Sequence, residues 1–287
     1  MKKSPLRYPG GKSRAVARLR SFIPEFSEFR EPFFGGGSLS FYLTQLYPDK
    51  KFSASDLNYE LYCFWTQLQN NTGELTGALQ QVYDSCKKKD HKKAGRALFD
   101  RIMQRRNDEL SELQRATDFF VLNRISFSGV VDSGGFSQAS FEGRFTQSAI
   151  ARLSQAAPAI RSIAFHCADY SCLLSSPGDH VFIFLDPPYY SATKSKLYGR
   201  NGILHSRFDH EKLFADLQDI SHQWLITYDN CPYIRSLYKD FFQLPWTLQY
   251  GMTNAASATG NELLIANYDL HKVHPSSRLT PIFASKS

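Results

Sequence analysis

The sequence predicts an open, mostly parallel α/β sheet interrupted by an inserted, mainly helical domain. Short runs rich in β-branched and aromatic residues alternate with helix-like segments near both ends of the chain, the pattern of a layered α/β sheet. That alternation stops between about Asn58 and Pro158, where apolar residues fall at helical spacings, and it resumes beyond. The reading gives a discontinuous domain over 1–58 and 159–270, an inserted domain over 59–158 and a tail over 271–287.

The expected strands are FREPFF (29–34), KFSASD (51–56), SIAFHCAD (162–169), VFIFLD (181–186), WLITYD (224–229) and ELLIANY (262–268). GSLSFYLTQLY (37–47) and DHEKLFADLQDIS (209–221) read as helices between them. Within the inserted block, residues 95–125 place Leu98, Ile102, Leu110 and Leu113 at helical spacings, and a Gly/Ser-rich stretch, 126–145, comes next.

With 287 residues, 42% hydrophobic and 21% charged, the chain has ample material for a core and is not a disordered one. A formal charge of +7 points toward a polyanionic partner. Five cysteines without a Cys-x-x-Cys pair read as reduced thiols, and the eight histidines show no metal-ligand spacing, so no metal is expected. The basic N-terminus has no apolar core of a signal peptide and nowhere do eighteen apolar residues run together, so a cytoplasmic protein without a membrane span is expected.

Ligands of open α/β sheets bind outside the carboxyl ends of the strands, so the residues just beyond each strand are the candidates for a site. In FLDPPYY (184–190) the prolines cannot continue a strand as donors, so the strand ends by presenting Asp186. The plain alternative is an Asp that caps the next loop. In EPFFGGGS (31–38), Gly35, Gly36 and Gly37 let backbone approach a ligand, although a third fingerprint glycine is replaced by Ser40. About twenty residues on, Asp56 of SDLN can take the hydroxyls of a ribose; a tight turn and a capping Asp is again the alternative. LRYPGGKSR (6–14) contains Gly-Lys-Ser but lacks the first glycine of a phosphate loop and a preceding strand, leaving an aromatic Tyr8 and a cationic Lys12 around a turn.

YPGGK, EPFFGGGS, SDLN and DPPY, in that order with a helical block before the last, resemble the Dam-like, D12-class, alpha-group DNA adenine-N6 methyltransferases. LNRISFSG (122–129) and NELLIANY (261–268) add to the likeness. The resemblance implies a Rossmann-like sheet of the S-adenosylmethionine-dependent methyltransferase type, with that molecule as cofactor and the inserted block recognising double-stranded DNA. Tyr8, Lys12, Asp56 and Asp186 would contact the cofactor, with Phe33, Gly35 and Gly37 beside them and Asp169 as a looser match. The family's more usual tryptophan before the glycines is a Tyr-Pro pair here. Asp186 and the Pro187 carbonyl would accept hydrogen bonds from the adenine amino group, Pro187 and Pro188 would stiffen the turn, and Tyr189 would stack on an extruded base. Tyr190 is expected to support the loop.

The DNA would meet a basic run, KKKDHKKAGR (87–96), in which Lys87, Lys88 and Lys89 are candidates for phosphate contacts, although a solvated helix face is the ordinary reading of such a run. Asn123, Arg124 and Arg144 are candidates for base edges, since Asn matches adenine and Arg guanine in the major groove. Arg124 reads equally as a packing residue at a helix end. In Dam-like enzymes the stretch after LNR forms a base-reading hairpin, and here its sequence departs from that of the GATC enzymes. A second basic loop (191–208) would close over the flipped nucleotide. RNA, protein and N4-cytosine methylation, or a catalytically idle DNA binder, are the competing readings. A bacterial or phage-infected cell would be the setting, with a companion restriction endonuclease left open.

Overall fold

The computed structural model describes residues 1–8, 10–87, 91–131, 134–191, 208–249 and 259–273. Its frame is a seven-stranded sheet built from β1 (Glu28–Glu31), β2 (Lys51–Asp56), β3 (Ile163–Cys167), β4 (Val181–Leu185), β5 (Gln223–Asp229), β6 (Phe242–Gln249) and β7 (Thr259–Ala266). The order across the sheet is β3-β2-β1-β4-β5-β7-β6. β3 through β5 run parallel, while β7 pairs antiparallel to both β5 and β6. The mostly parallel, Rossmann-like sheet read from the sequence is the architecture of the molecule.

Two strands are shorter than their sequence runs suggest. β1 stops at Glu31 because Pro32 supplies no donor and the next residues turn, with Phe34 donating its amide to Ser55 O at 3.0 Å. β3 likewise covers only the middle of SIAFHCAD. β6 has no counterpart among the expected strands, because Pro245 interrupts its run. Among the described residues it lies at the sheet edge, paired only with β7, where a missing N–H is tolerated.

β4 shows why a fully apolar run belongs at the centre. Phe182 and Phe184 enter one hydrophobic cluster and Val181, Ile183 and Leu185 the other, so the strand is buried on both faces. On the first face, Phe29, Phe52 and Phe182 pack ring to ring with centroids 5.8 to 6.1 Å apart. Burying each ring contributes about 1.5–3 kcal/mol.

The same cluster continues into the helical block through α3 (Tyr59–Asn70), which comes after α1 (Val16–Arg20) and α2 (Ser38–Leu46). Trp65 of α3 packs edge-on against Phe34, and Phe64 lies parallel to Phe120. Phe120 belongs to α6 (Glu112–Ile125), the fourth helix of a series that includes α4 (Thr72–Lys87) and α5 (His91–Arg105). A capping box between Ser111 and Gln114 starts α6, and every residue from Ala116 to Ile125 is buried. The helical stretch expected over 95–125 thus divides between α5 and α6, and Arg105 of the first donates to Asp118 of the second at 2.8 Å. α7 (Gln138–Arg144) and α8 (Gln147–Ala156) complete the block. Beyond β3 come the short α9 (Ser171–Leu174), then α10 (His210–Gln218), α11 (Pro232–Leu237) and α12 (Leu270–Val273).

From β1 the chain proceeds outward to β2 and β3, then returns to the other side of β1 as β4. The loops leaving β1 and β4 therefore diverge, opening a crevice at their carboxyl ends.

Candidate active site

β4 ends at Leu185 and delivers Asp186 into that crevice with its side chain 21% exposed. The carboxylate is held by side chains. Lys12 Nζ lies 2.8 Å from Oδ1 and 3.0 Å from Oδ2, and Thr227 of β5 donates its hydroxyl to Oδ1 at 2.5 Å. Lys12 also donates to the Tyr189 hydroxyl at 2.9 Å, and its ammonium stands 5.0 Å from the centre of that ring. Asp229, the last residue of β5, accepts from the amides of Tyr190 and Ser191, both at 2.9 Å, and pins the exit of the DPPY turn. Tyr190 is exposed and stacks on Tyr233 with centroids 4.3 Å apart.

A second carboxylate lies behind Lys12. Glu262 of β7 is buried, with Oε1 3.8 Å from Lys12 Nζ and Oε2 accepting from Trp246 Nε1 at 2.8 Å. Burial pushes its carboxyl above the usual range, opposed by the positive charge of Lys12. Sequence reasoning missed Thr227, Asp229 and Glu262. The available signal was a polar side chain inside an apolar strand, where burial demands a partner.

The glycine loop after β1 forms the other wall. Gly35 and Gly37 have φ of 47° and 60°, and a Cβ on Gly35 or Gly36 would meet Tyr8 at 2.7 Å. Tyr8 therefore lies directly on this loop. Asp56 accepts from Gly35 N at 2.9 Å and from Asn58 N at 3.0 Å, tying the glycine loop to the end of β2. Glu31 accepts from the amide of Ser40 at 3.2 Å and from its hydroxyl, which secures the start of α2. Burial raises the Glu31 carboxyl to about 8.

Phe33 stacks on Tyr170 with centroids 5.3 Å apart and meets Phe208 edge-on, making an apolar face beside the loop. Tyr170 OH is fixed by Asp216 at 2.7 Å. Asp169 is exposed and accepts from Ser171 N at 3.0 Å. Glycines that leave no room for a Cβ, a carboxylate at the end of β2 and an apolar aromatic wall suit an adenosine-bearing ligand.

Residues 8–252 match the family described as D12 class N6 adenine-specific DNA methyltransferase. The chain belongs to that family. As a D12-class enzyme it is a methyltransferase of adenine N6 in DNA that uses S-adenosylmethionine. It is similar to a Type II methyltransferase of Methanocaldococcus jannaschii, 25% identical over 67% of this chain and 71% of that one. A Type II methyltransferase of Lactococcus lactis subsp. cremoris is 24% identical, covering 91% of this chain and 94% of the relative. Another, from Paramecium bursaria Chlorella virus NC1A, is 23% identical over 92% and 98% respectively.

The D12-class chain arranges its candidate DNA residues differently from the sequence expectation. Asn123 is fully buried: its Oδ1 accepts from Arg7 N at 3.1 Å, and its Nδ2 donates to Arg7 O at 2.6 Å and Gly129 O at 3.1 Å. Its amide joins α6 to the chain before YPGGK. Arg124 is also buried, donating to Pro5 O and lying 4.9 Å from the centre of the Phe120 ring. It is a packing residue; burial and the charges of Arg152, Arg7 and Arg144 lower its guanidinium to about 10.

Arg144 is exposed in the last turn of α7 and brings its charge toward Arg7 and Arg124. Where a hairpin was expected, the described residues show one antiparallel bridge, Ser126 to Phe136, and then α7. Phe127 at the start of this stretch is 70% exposed, ahead of Ser128 at φ 54°. Lys87 ends α4, whereas Lys88 and Lys89 lie outside the described residues, as do most of the 191–208 loop and most of the 271–287 tail. Among the described residues there is no group of three or more potential metal ligands, and no helix is long and apolar enough to cross a membrane.

Proposed function

We propose that this methyltransferase acts at a specific site in double-stranded DNA, extruding the target adenine into the crevice, and that it is a Dam-like, alpha-group member of its class. The observation that carries the reading is Asp186, fixed at the open end of β4 beside the prolines of the DPPY turn. An amino group seated there donates to the Asp186 carboxylate and the Pro187 carbonyl. Both acceptors are in place before reaction, so they favour the nitrogen state whose lone pair points at the methyl. The cofactor, when bound, supplies a methyl group on a sulfonium. Gly35, Gly37, Asp56 and Phe33 hold it on the side of β1 and β2, with Tyr8 behind the loop and Asp169 at the rim. Extrusion itself costs about a few kcal/mol.

On the DNA side, residues 59–158 form the recognition domain, rooted on the sheet by α3 and joined to the catalytic domain of 1–58 and 159–270. Arg144 reads a base edge, Lys87, Lys88 and Lys89 hold phosphates, and exposed Phe127 is an apolar group able to enter a base step. The enzyme works in the cytoplasm of a bacterial or phage-infected cell, with or without a companion restriction endonuclease. Sequencing that maps methylated adenines in DNA from cells expressing this chain alone tests the reading. One recurrent methylated sequence is expected; methylation scattered without a site, or confined to RNA or cytosine, overturns it.

A further inference from the structure

We infer that Glu262 is a positioning residue that receives the Lys12 ammonium from Asp186 when the target amino group arrives. The inference rests on the reading that Asp186 accepts that amino group. In the structure Lys12 occupies both Asp186 oxygens and the Tyr189 hydroxyl, and it also donates to Gly10 O at 3.2 Å. Its ammonium thus competes for the carboxylate lone pairs to which an adenine amine would donate. At contact distance it cancels the negative field that Asp186 would present to the reacting nitrogen, which becomes positive as the methyl arrives.

Glu262 offers the lysine a second place. The ammonium already lies 3.8 Å from Glu262 Oε1, about an ångström farther than from Asp186 Oδ1. Glu262 is held within a paired strand, whereas Lys12 reaches the site on a four-carbon stem that can turn between acceptors. Glu262 is locked by Trp246 and by strand pairing on both sides, opposite Asp229 of β5 and Trp246 of β6. Lys12 extends on a flexible stem from a loop whose Gly10 has φ 71°.

Tyr189 connects the two positions, because its hydroxyl accepts from Lys12 and also bonds Glu262. A buried carboxylate with a single nearby cation is costly if the two serve only to stabilise the fold, since a matched apolar pair does as well. Here the second carboxylate allows Lys12 to leave Asp186 without being stranded in a buried environment.

The test is a double-mutant cycle on the full chain. Glu262→Gln keeps side-chain volume and an acceptor for Trp246. Single-turnover methyl transfer is measured at saturating S-adenosylmethionine on DNA from cells without adenine methylation, alone and in the Lys12→Met background. Glu262→Gln is expected to slow transfer about tenfold or more when Lys12 is present, and by less than about threefold when Lys12 is replaced, a coupling typical of neighbours that act together. Glu262→Asp, which retains the charge, should recover part of the rate.

Equal losses in both backgrounds, or no loss from Glu262→Gln alone, overturn the inference in favour of a purely structural glutamate. If the Gln variant does not fold, Glu262→Thr, which removes the charge and suits a strand, is put through the same cycle against Lys12→Met, with the same two outcomes. A wild-type chain that methylates no adenine would remove the underlying reading instead, before any variant is compared.

Discussion

Asp56 and Asp186 sit at the ends of neighbouring parts of one sheet, yet they are held in opposite ways. Asp56 is fixed by backbone amides, those of Gly35 and Asn58. Asp186 is fixed by the side chains of Lys12 and Thr227. Amide donors belong to the fold and cannot leave without unravelling a loop, whereas a lysine can change partners by rotating its stem. The first carboxylate is built for permanence. The second is built for exchange.

The sharpest way to break this comparison is to remove the exchanging carboxylate. Asp186→Ala should lower methyl transfer by about 10²–10³-fold with thermal unfolding little changed, as for loss of one preorganised polar group. Near-normal turnover by the folded variant would mean that the amino group is activated elsewhere.

Asp56→Ala should behave in reverse, weakening S-adenosylmethionine binding in calorimetry without DNA and destabilising the fold by about 1–3 kcal/mol, because the Gly35 and Asn58 amides lose their acceptor. Unaltered stability would show that the loop does not depend on Asp56.

Narrower is the effect of Arg144→Ala, confined to one base pair, where it is expected to relax discrimination by about 1–3 kcal/mol in competition assays over variants of the mapped site. Equal weakening on every variant would instead mark an interaction with phosphate. Neutralising Lys87, Lys88 and Lys89 should flatten the salt dependence of DNA binding by about 0.9 in slope for each phosphate that is no longer neutralised.

Glu31 extends the comparison to pH. Its folded carboxyl is raised to about 8 from an ordinary value of 4.5, so its protonated form favours the folded state. Its contribution to stability is complete below the unfolded value and is lost as pH rises toward 8. Denaturant midpoints should therefore fall across that window in the wild type and fall less in Glu31→Gln.

Much of this frame could be read from the chain because buried parallel strands declare themselves as apolar runs: KFSASD and VFIFLD fall within a residue of β2 and β4. The crevice could be anticipated as well, since Asp56 closes β2 and Asp186 and the glycines follow the ends of β4 and β1. What remained hidden depends on contacts across the sequence. Glu262 and Thr227 look like interruptions of strands until the sheet order brings β7 beside β5. Asn123 has the chemistry of a base reader, but only the tertiary fold reveals that Arg7 and Gly129 consume its amide. Pro245 concealed β6 because its tolerance depends on lying at an edge, a property of the assembled sheet.

The contact between Trp65 and the glycine loop has an optical consequence. The buried indole donates to Gly35 O at 3.1 Å, while the other tryptophans, Trp224 and Trp246, lie in β5 and β6. A ligand that reorients the Gly35 peptide alters the dipole against that indole and so shifts its emission. An emission change on titrating S-adenosylmethionine that Trp65→Phe diminishes would report this contact, while Trp246, bonded to Glu262, is a second indole beside the site.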